Sequence, residues 1–270
     1  IPLGYLILSL SRNFSLTVFR YNIPIPLDEI IYVSLDILAV LFLVYLYDKY
    51  VLKIHWQDIY VCKPVPQVKW VVAAVLLSTF VLVCCIFLTK GTFIKEEISI
   101  QEKIDLAFNT ILGGGVRAAV TEEVIFRGLI FSSLQKMKGT KFAVAGSSIL
   151  FAVMHLVNID TSNVYNVISL LIAIFLIGCA FALIVLETGS IWSGVVFHGL
   201  YNVISGDMDI LHVSAAESFP AIWLYKPVKE YRWITGIIGS DDIETGLPAM
   251  IGFVIVIIVA LYLNKKEKTD

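Results

Sequence analysis

Three short runs place groups able to move protons inside otherwise apolar sequence. They are Glu122, Glu123 and Arg127 in TEEVIFRG, His155 in LFAVMHL, and His198 with Asn202 in GVVFHGLYN. Ionisable side chains at membrane depth are costly and are usually kept where they face a bundle interior and act on something. A carboxylate suits a general base for water, or a ligand whose charge a metal absorbs. An imidazole can serve in either way, and an amide one turn beyond it supplies the donor an oxyanion needs. Each group also has a plainer role. Glu123 and Arg127, four residues apart on one helical face, read as a self-neutralising brace, and His155 alone could be a hydrogen-bonded core histidine.

The elements that must carry these groups are membrane helices. Hydrophobic residues make up 58 % of the 270, charged residues 16 %, and mean hydropathy is +0.86, far outside soluble usage. A net charge of −2 gives no electrostatic footprint for nucleic acid. Apolar runs at 30–47, 70–89, 140–157, 163–187 and 247–263 are long enough to span a bilayer. Residues 104–137 form a further helical region interrupted by Gly113, Gly114 and Gly115, and 190–205 a short one; these two hold most of the unusual polar groups. Residues 3–19 form either an eighth crossing or, because of Arg12 and Asn13, an interfacial or re-entrant segment. The expected fold is therefore all-α: one polytopic bundle over 1–270 with seven to eight transmembrane helices and the site inside it. Residues 104–205 form its core, and 206–246 a non-cytoplasmic loop that is a candidate lid.

Lysines orient the bundle. Lys49, Lys53, Lys63 and Lys69, then Lys136, Lys138 and Lys141, then Lys265, Lys266 and Lys268 fall on one side if 104–137 crosses once, and that side is expected to be cytoplasmic, with the C-terminus. The loops 90–103 and 206–246 fall on the other. Trp223, Tyr225, Tyr231 and Trp233 read there as an interfacial belt, and His55 and His212 as solvated loop residues. Cys84, Cys85 and Cys179 read as small core hydrophobes, and Cys62 stands alone in a polar loop. Counting 1.5 Å per residue from the lysine-bearing turn puts Glu122 and His155 each ~20 Å in, with His198 and Asn202 at comparable depths of ~12 and ~18 Å from Ser190. Glu122 is turned ~100° from Glu123, so the two carboxylates need not share a job.

The series Glu122-Glu123-x-x-x-Arg127, Phe151-x-x-x-His155, His198-x-x-x-Asn202 resembles, in order and intact, the three motifs of the CAAX-protease and bacteriocin-processing (CPBP, or Abi) intramembrane proteases. The resemblance covers roughly 104–205 and implies an eight-helix intramembrane endopeptidase in which water attacks a peptide bond of a membrane-associated protein or peptide. Glu122, Glu123, Arg127, His155, His198 and Asn202 are then the site. Two versions of the chemistry share these residues. In one, Glu122, His155 and His198 hold a zinc ion whose fourth position carries the water. In the other, which needs no metal, Glu122 and His155 polarise the water while His198 and Asn202 donate to the oxyanion. The implied surroundings are membrane lipids in a bacterial plasma membrane, with a peptide substrate. A non-catalytic immunity or regulatory scaffold that binds a peptide or sensor partner is the alternative. A proton-coupled transporter is less compatible, since no inverted repeat is apparent.

Overall fold

The computed structural model describes residues 9–10, 27–62, 64–95, 97–159, 161–205, 209–213, 220–228, 232–236 and 243–266. Helix α1 runs Leu27–Leu52, α2 Val68–Thr89, α3 over 100–138, α4 Thr140–His155, α5 Val164–Thr188, α6 Trp192–Ile204, α7 Arg232–Thr235 and α8 Leu247–Lys266. Among the described residues α1, α2, α5 and α8 are long and apolar enough to cross a membrane; α4 is apolar but shorter. The helical, membrane-type architecture agrees with expectation, whereas the count of seven to eight crossings is reached only at the level of these four. Of the segment 3–19, only Ser9 and Leu10 lie within the described residues.

Helix α5 is the central post. Its run from Ile177 to Val185 is buried all round, and 56 % of its apolar window lies inside the protein, against 22 to 33 % for α1, α2 and α8. A helix that is apolar on every side is a buried one. Helix α4 approaches α5 where Gly178 faces Ser148: a Cβ on Gly178 would sit 2.8 Å from Ser148 Cβ. Small residues replace the hydrophobic effect as the means of close helix contact in lipid.

Connections at one end of the bundle are stitched together. Tyr60 Oη donates to Gln135 Oε1 (2.9 Å), Trp192 Nε1 donates to the Val61 carbonyl (2.8 Å), and Asn264 Nδ2 donates to the Leu183 carbonyl (3.1 Å). Lys69 and Trp70 both bond the buried Glu187. The three lysine clusters therefore share an end, as the charge pattern predicts; Lys63 and Lys268 lie outside the described residues.

The opposite end adds a small sheet to the helical bundle. Strands β1 (Thr92–Ile94), β2 (Leu211–Val213) and β3 (Trp223–Lys226) form a sheet of order β1-β3-β2, with β1 antiparallel and β2 parallel to β3. Strand β1, from the 90–103 connection, thus meets β2 and β3, from the described part of 206–246. Tyr225 is no belt residue. It is 1 % exposed, accepts from the Gly91 N–H (2.7 Å), donates to the Ile86 carbonyl (2.8 Å) and contacts Thr89 Oγ1 (3.0 Å), tying the sheet to the end of α2. Trp223 and Trp233 are exposed, and Tyr231 lies outside the described residues. His212 is likewise not solvated: the strand buries it. His55 is exposed, Cys85 and Cys179 are buried, and all four cysteines are free thiols.

Candidate active site

The site is built on an irregular helix. In α3, residues Asn109–Ala118 and Val124–Phe131 are wound in wide π turns on either side of a single regular stretch, Ala119–Glu123. Three consecutive glycines weaken the first wide turn, since glycine is a poor helix former. Wide turns of this kind are rare and recur at functional sites. Gly115 then brings α3 against α6: a Cβ on Gly199 would lie 2.3 Å from the Gly115 carbonyl oxygen. That backbone contact sets the rotation of α6, and with it the direction of His198 and Asn202.

Glu123 and Arg127 are both fully buried, and Arg127 Nη1 lies 3.0 Å from Glu123 Oε1. Nη1 makes no hydrogen bond, so this is a charge contact. Arg127 also donates through Nη2 to the Gly178 carbonyl at 3.4 Å, and its guanidinium stands 4.3 Å from the Phe151 ring and 5.2 Å from that of Phe181. The same Oε1 of Glu123 meets His198 Nδ1 at 3.3 Å. Gly194, one turn before His198, leaves room for this: a Cβ there would come within 3.3 Å of Glu123 Oε2. The brace expected of Glu123 and Arg127 is present, and it extends to His198.

Glu122 has a different setting. Its side chain is 26 % exposed, and Oε2 lies 4.0 Å from His198 Nε2 without a hydrogen-bond partner. His198 therefore turns one nitrogen to each carboxylate. Its ring stacks on Phe181 (5.2 Å, 28°) and meets the Phe151 ring edge-on at 6.4 Å. His155 is half-buried at the end of α4, its ring 4.6 Å from the same Phe151. His155 Nδ1 faces the Phe151 carbonyl at 2.9 Å. A carbonyl only accepts, so Nδ1 carries the proton and Nε2 is left available. Asn202 is buried and donates Nδ2 to the Gly114 carbonyl at 3.0 Å, which uses one of its two amide hydrogens.

Glu122, Glu123, Arg127 and His198 meet where α3 packs on α6, Asn202 bonds Gly114 one turn further along α6, and His155 reaches this group only through the Phe151 ring, 4.6 Å from its own and 6.4 Å from that of His198. Among the described residues, however, no three His, Cys, Asp or Glu side chains stand close enough together to hold a metal ion. Glu122, His155 and His198 as placed do not form a zinc ligand set. Spacing also missed a fourth polar position. Asp36, in the middle of α1 and 1 % exposed, pairs with Arg117 of α3 at 3.5 Å. A lone aspartate inside an apolar span and a second arginine ahead of the glutamates were the available signals.

No curated protein and no solved structure matches the chain. Residues 104–204 match the family model described as type II CAAX prenyl endopeptidase Rce1-like. That segment holds Glu122, Glu123, Arg127, His155, His198 and Asn202, and over residues 104–204 the chain is similar to that family.

Proposed function

We propose that the chain is an intramembrane endopeptidase that hydrolyses a peptide bond of a membrane-associated protein or peptide with water activated between Glu122 and His198. The observation that carries this is the 4.0 Å gap between Glu122 Oε2 and His198 Nε2. It is too long for a hydrogen bond, and it is the separation at which one water can stand about 2.8 Å from both. Glu123 fixes the imidazole from behind at Nδ1, and Arg127 neutralises Glu123. A ring oriented in this way by a carboxylate presents Nε2 in one tautomer and one direction, the logic of an oriented catalytic histidine.

The steps follow from these placements. Glu122 takes a proton as the water oxygen bonds to the substrate carbonyl carbon, and His198 holds the water's second hydrogen. The spare amide hydrogen of Asn202 donates to the carbonyl oxygen as it becomes an oxyanion. Collapse of the tetrahedral species breaks the C–N bond, and the proton held by Glu122 passes to the leaving amine. His155, its ring 4.6 Å from that of Phe151, would meet the substrate through its Nε2. Spacing alone would give the water to Glu122 and His155; the distances favour His198 for that share. Substrates enter from the membrane, and the sheet end is the non-cytoplasmic one. A bacterial peptide is the substrate class this reading prefers.

Product mass spectrometry against a panel of membrane-proximal peptides, in proteoliposomes, tests the proposal. The wild type is expected to release defined fragments, and Glu122→Ala, His155→Ala and His198→Ala to release none while remaining folded. Full activity in the Glu122 variant would sink the reading. Exhaustive chelation is expected to leave cleavage intact, and loss of cleavage restored by zinc would replace the water-only steps with metal chemistry.

A further inference from the structure

We infer that Asp36, outside the family-matched segment, is a positioning residue that acts through Arg117 and the first wide turn of α3 to aim Asn202. This rests on the peptidase reading above. Helix α1 buries only a narrow stripe, Val33, Asp36, Val40, Val44 and Asp48, and leaves residues such as Leu38 and Phe42 exposed. Within that stripe the mid-span charge is Asp36. A buried aspartate at that depth is costly, and its partner is Arg117, 3.5 Å away and 6.0 Å from the Tyr32 ring of the same α1 face. A second α1 carboxylate lies over the same turn: Glu29 Oε1 is 3.5 Å from where a Cβ on Gly113 would be.

What the pair grips is weak by itself. The turn Asn109–Ala118 is wide and carries three glycines, so little in its own sequence fixes its shape. Yet its Gly114 carbonyl is the acceptor that holds Asn202, and its Gly115 carbonyl abuts Gly199, next to His198. Arg117 belongs to that turn. A displacement of the turn that follows loss of Asp36 therefore reaches the Asn202 amide before any other site group. Plain helix-to-helix glue would affect only how much protein folds.

Kinetics and hydrogen exchange on the full chain separate the two roles. Asp36→Asn is expected to lower kcat by about 10- to 100-fold, the usual scale for a group that orients a reacting one, with KM within about twofold. In an Asn202→Ala background the same substitution should add almost nothing, because its route runs through Asn202. Amides of 109–118 should exchange faster in Asp36→Asn, with α4 and α5 unchanged. Additive losses in the double variant, or an unchanged kcat, would overturn the inference, as would unchanged exchange of 109–118. If Asp36→Asn yields no folded protein, Arg117→Lys, which keeps the charge and loses the planar fork, is read by the same criteria. A wild type that cleaves no peptide would overturn the peptidase reading, and the exchange of 109–118 would still decide whether Asp36 holds the turn.

Discussion

Adjacent carboxylates in α3 should fail in opposite ways when each is made an amide. Glu123→Gln takes away the nearest counter-charge of the Arg127 guanidinium, which is 1 % exposed, and leaves it only the weaker field of Glu122. Stranding one partner of a buried pair costs about 3–5 kcal/mol. Two Phe rings and the Gly178 carbonyl remain around Arg127, and cation–π contacts contribute about 0.5–2 kcal/mol each, so the lower end, about 3 kcal/mol, is expected. Glu122→Gln removes no hydrogen bond at Oε2 and changes a side chain 26 % exposed, so stability should move by no more than about 0.5 kcal/mol. Its cost is in rate: loss of a general base is expected to lower kcat by about 10²–10⁴, or roughly 3–5 kcal/mol of barrier. Glu123→Gln should lose about 10- to 100-fold through a less firmly held His198. Buried Cys85 and Cys179 provide the stability assay, since a thiol-reactive dye reports their exposure on heating. Cleavage of a reporter peptide by the folded fraction gives the rate. Replacing the pair with Glu123→Leu and Arg127→Met should recover stability without recovering activity. Equal destabilisation by the two single amide variants would refute the division of labour, as would a Glu122→Gln protein with wild-type turnover.

Three further outcomes follow from contacts elsewhere. Gly199→Ala would put a methyl group 2.3 Å from the Gly115 carbonyl oxygen, so α3 and α6 must part; a loss of about 1–3 kcal/mol in the same dye assay, with cleavage lost, is expected, and an unaffected protein would contradict the backbone contact. Tyr225→Phe leaves the Gly91 N–H and Ile86 carbonyl without their partner and should cost about 1–3 kcal/mol, read as faster proteolytic nicking around 209–228. At the start of α3, Ser99 and Glu102 form a reciprocal capping box, and its hydrogen bonds hold the Glu102 carboxyl below its ordinary value. A depressed carboxyl stabilises above the ordinary carboxylate range and loses that contribution as pH falls through the folded value. Protection of amides 100–103, relative to their intrinsic exchange rates, should therefore fall in acid, and Ser99→Ala should weaken that pH dependence while the backbone N–H bond to Glu102 keeps part of it.

Most of the helical framework was legible because its signal is bulk apolarity. The runs around α1, α2, α4, α5 and α8 declare themselves by length, and the interrupted 104–137 region by its glycines. The polar constellation was legible for a related reason: Glu122, His155 and His198 stand out only because their surroundings are apolar. The sheet was not, since strands of three or four residues such as Leu211–Val213 show no alternation, and the pairing of β1 with β3 joins segments over a hundred residues apart. Tyr225 looks amphipathic in sequence and is buried because that pairing carries it onto α2. The contact of Glu123 with His198 was hidden for a different reason. It depends on the rotation of α6 against α3, which Gly115 and Gly199 set through backbone contact, and no single-helix periodicity encodes it. Asp36 escaped notice because one charge in an otherwise apolar span is diluted in any average of hydropathy.

The charges along α3 follow an order that joins stability to reaction. Arg117 is met by Asp36 from α1, and Glu123 by Arg127 from its own helix; each pair brings together opposite charges, so their burial adds no net charge to the bundle. Glu122 alone among these has no cationic partner within hydrogen-bond reach, only the imidazole 4.0 Å away. A bundle selected for stability alone would pair or delete that carboxylate, because a charge without a hydrogen-bonded counter-ion is unfavourable inside a bundle. In the proposed mechanism this carboxylate is the group that accepts a proton, so keeping it beside two neutral pairs would confine the unfavourable term to it, and its protonation would remove the charge that made its burial costly. Local rules are expected to break at functional positions and hold elsewhere. In α3 the break falls at Glu122, and the pairing of its neighbours is what makes a single unpaired carboxylate tolerable there.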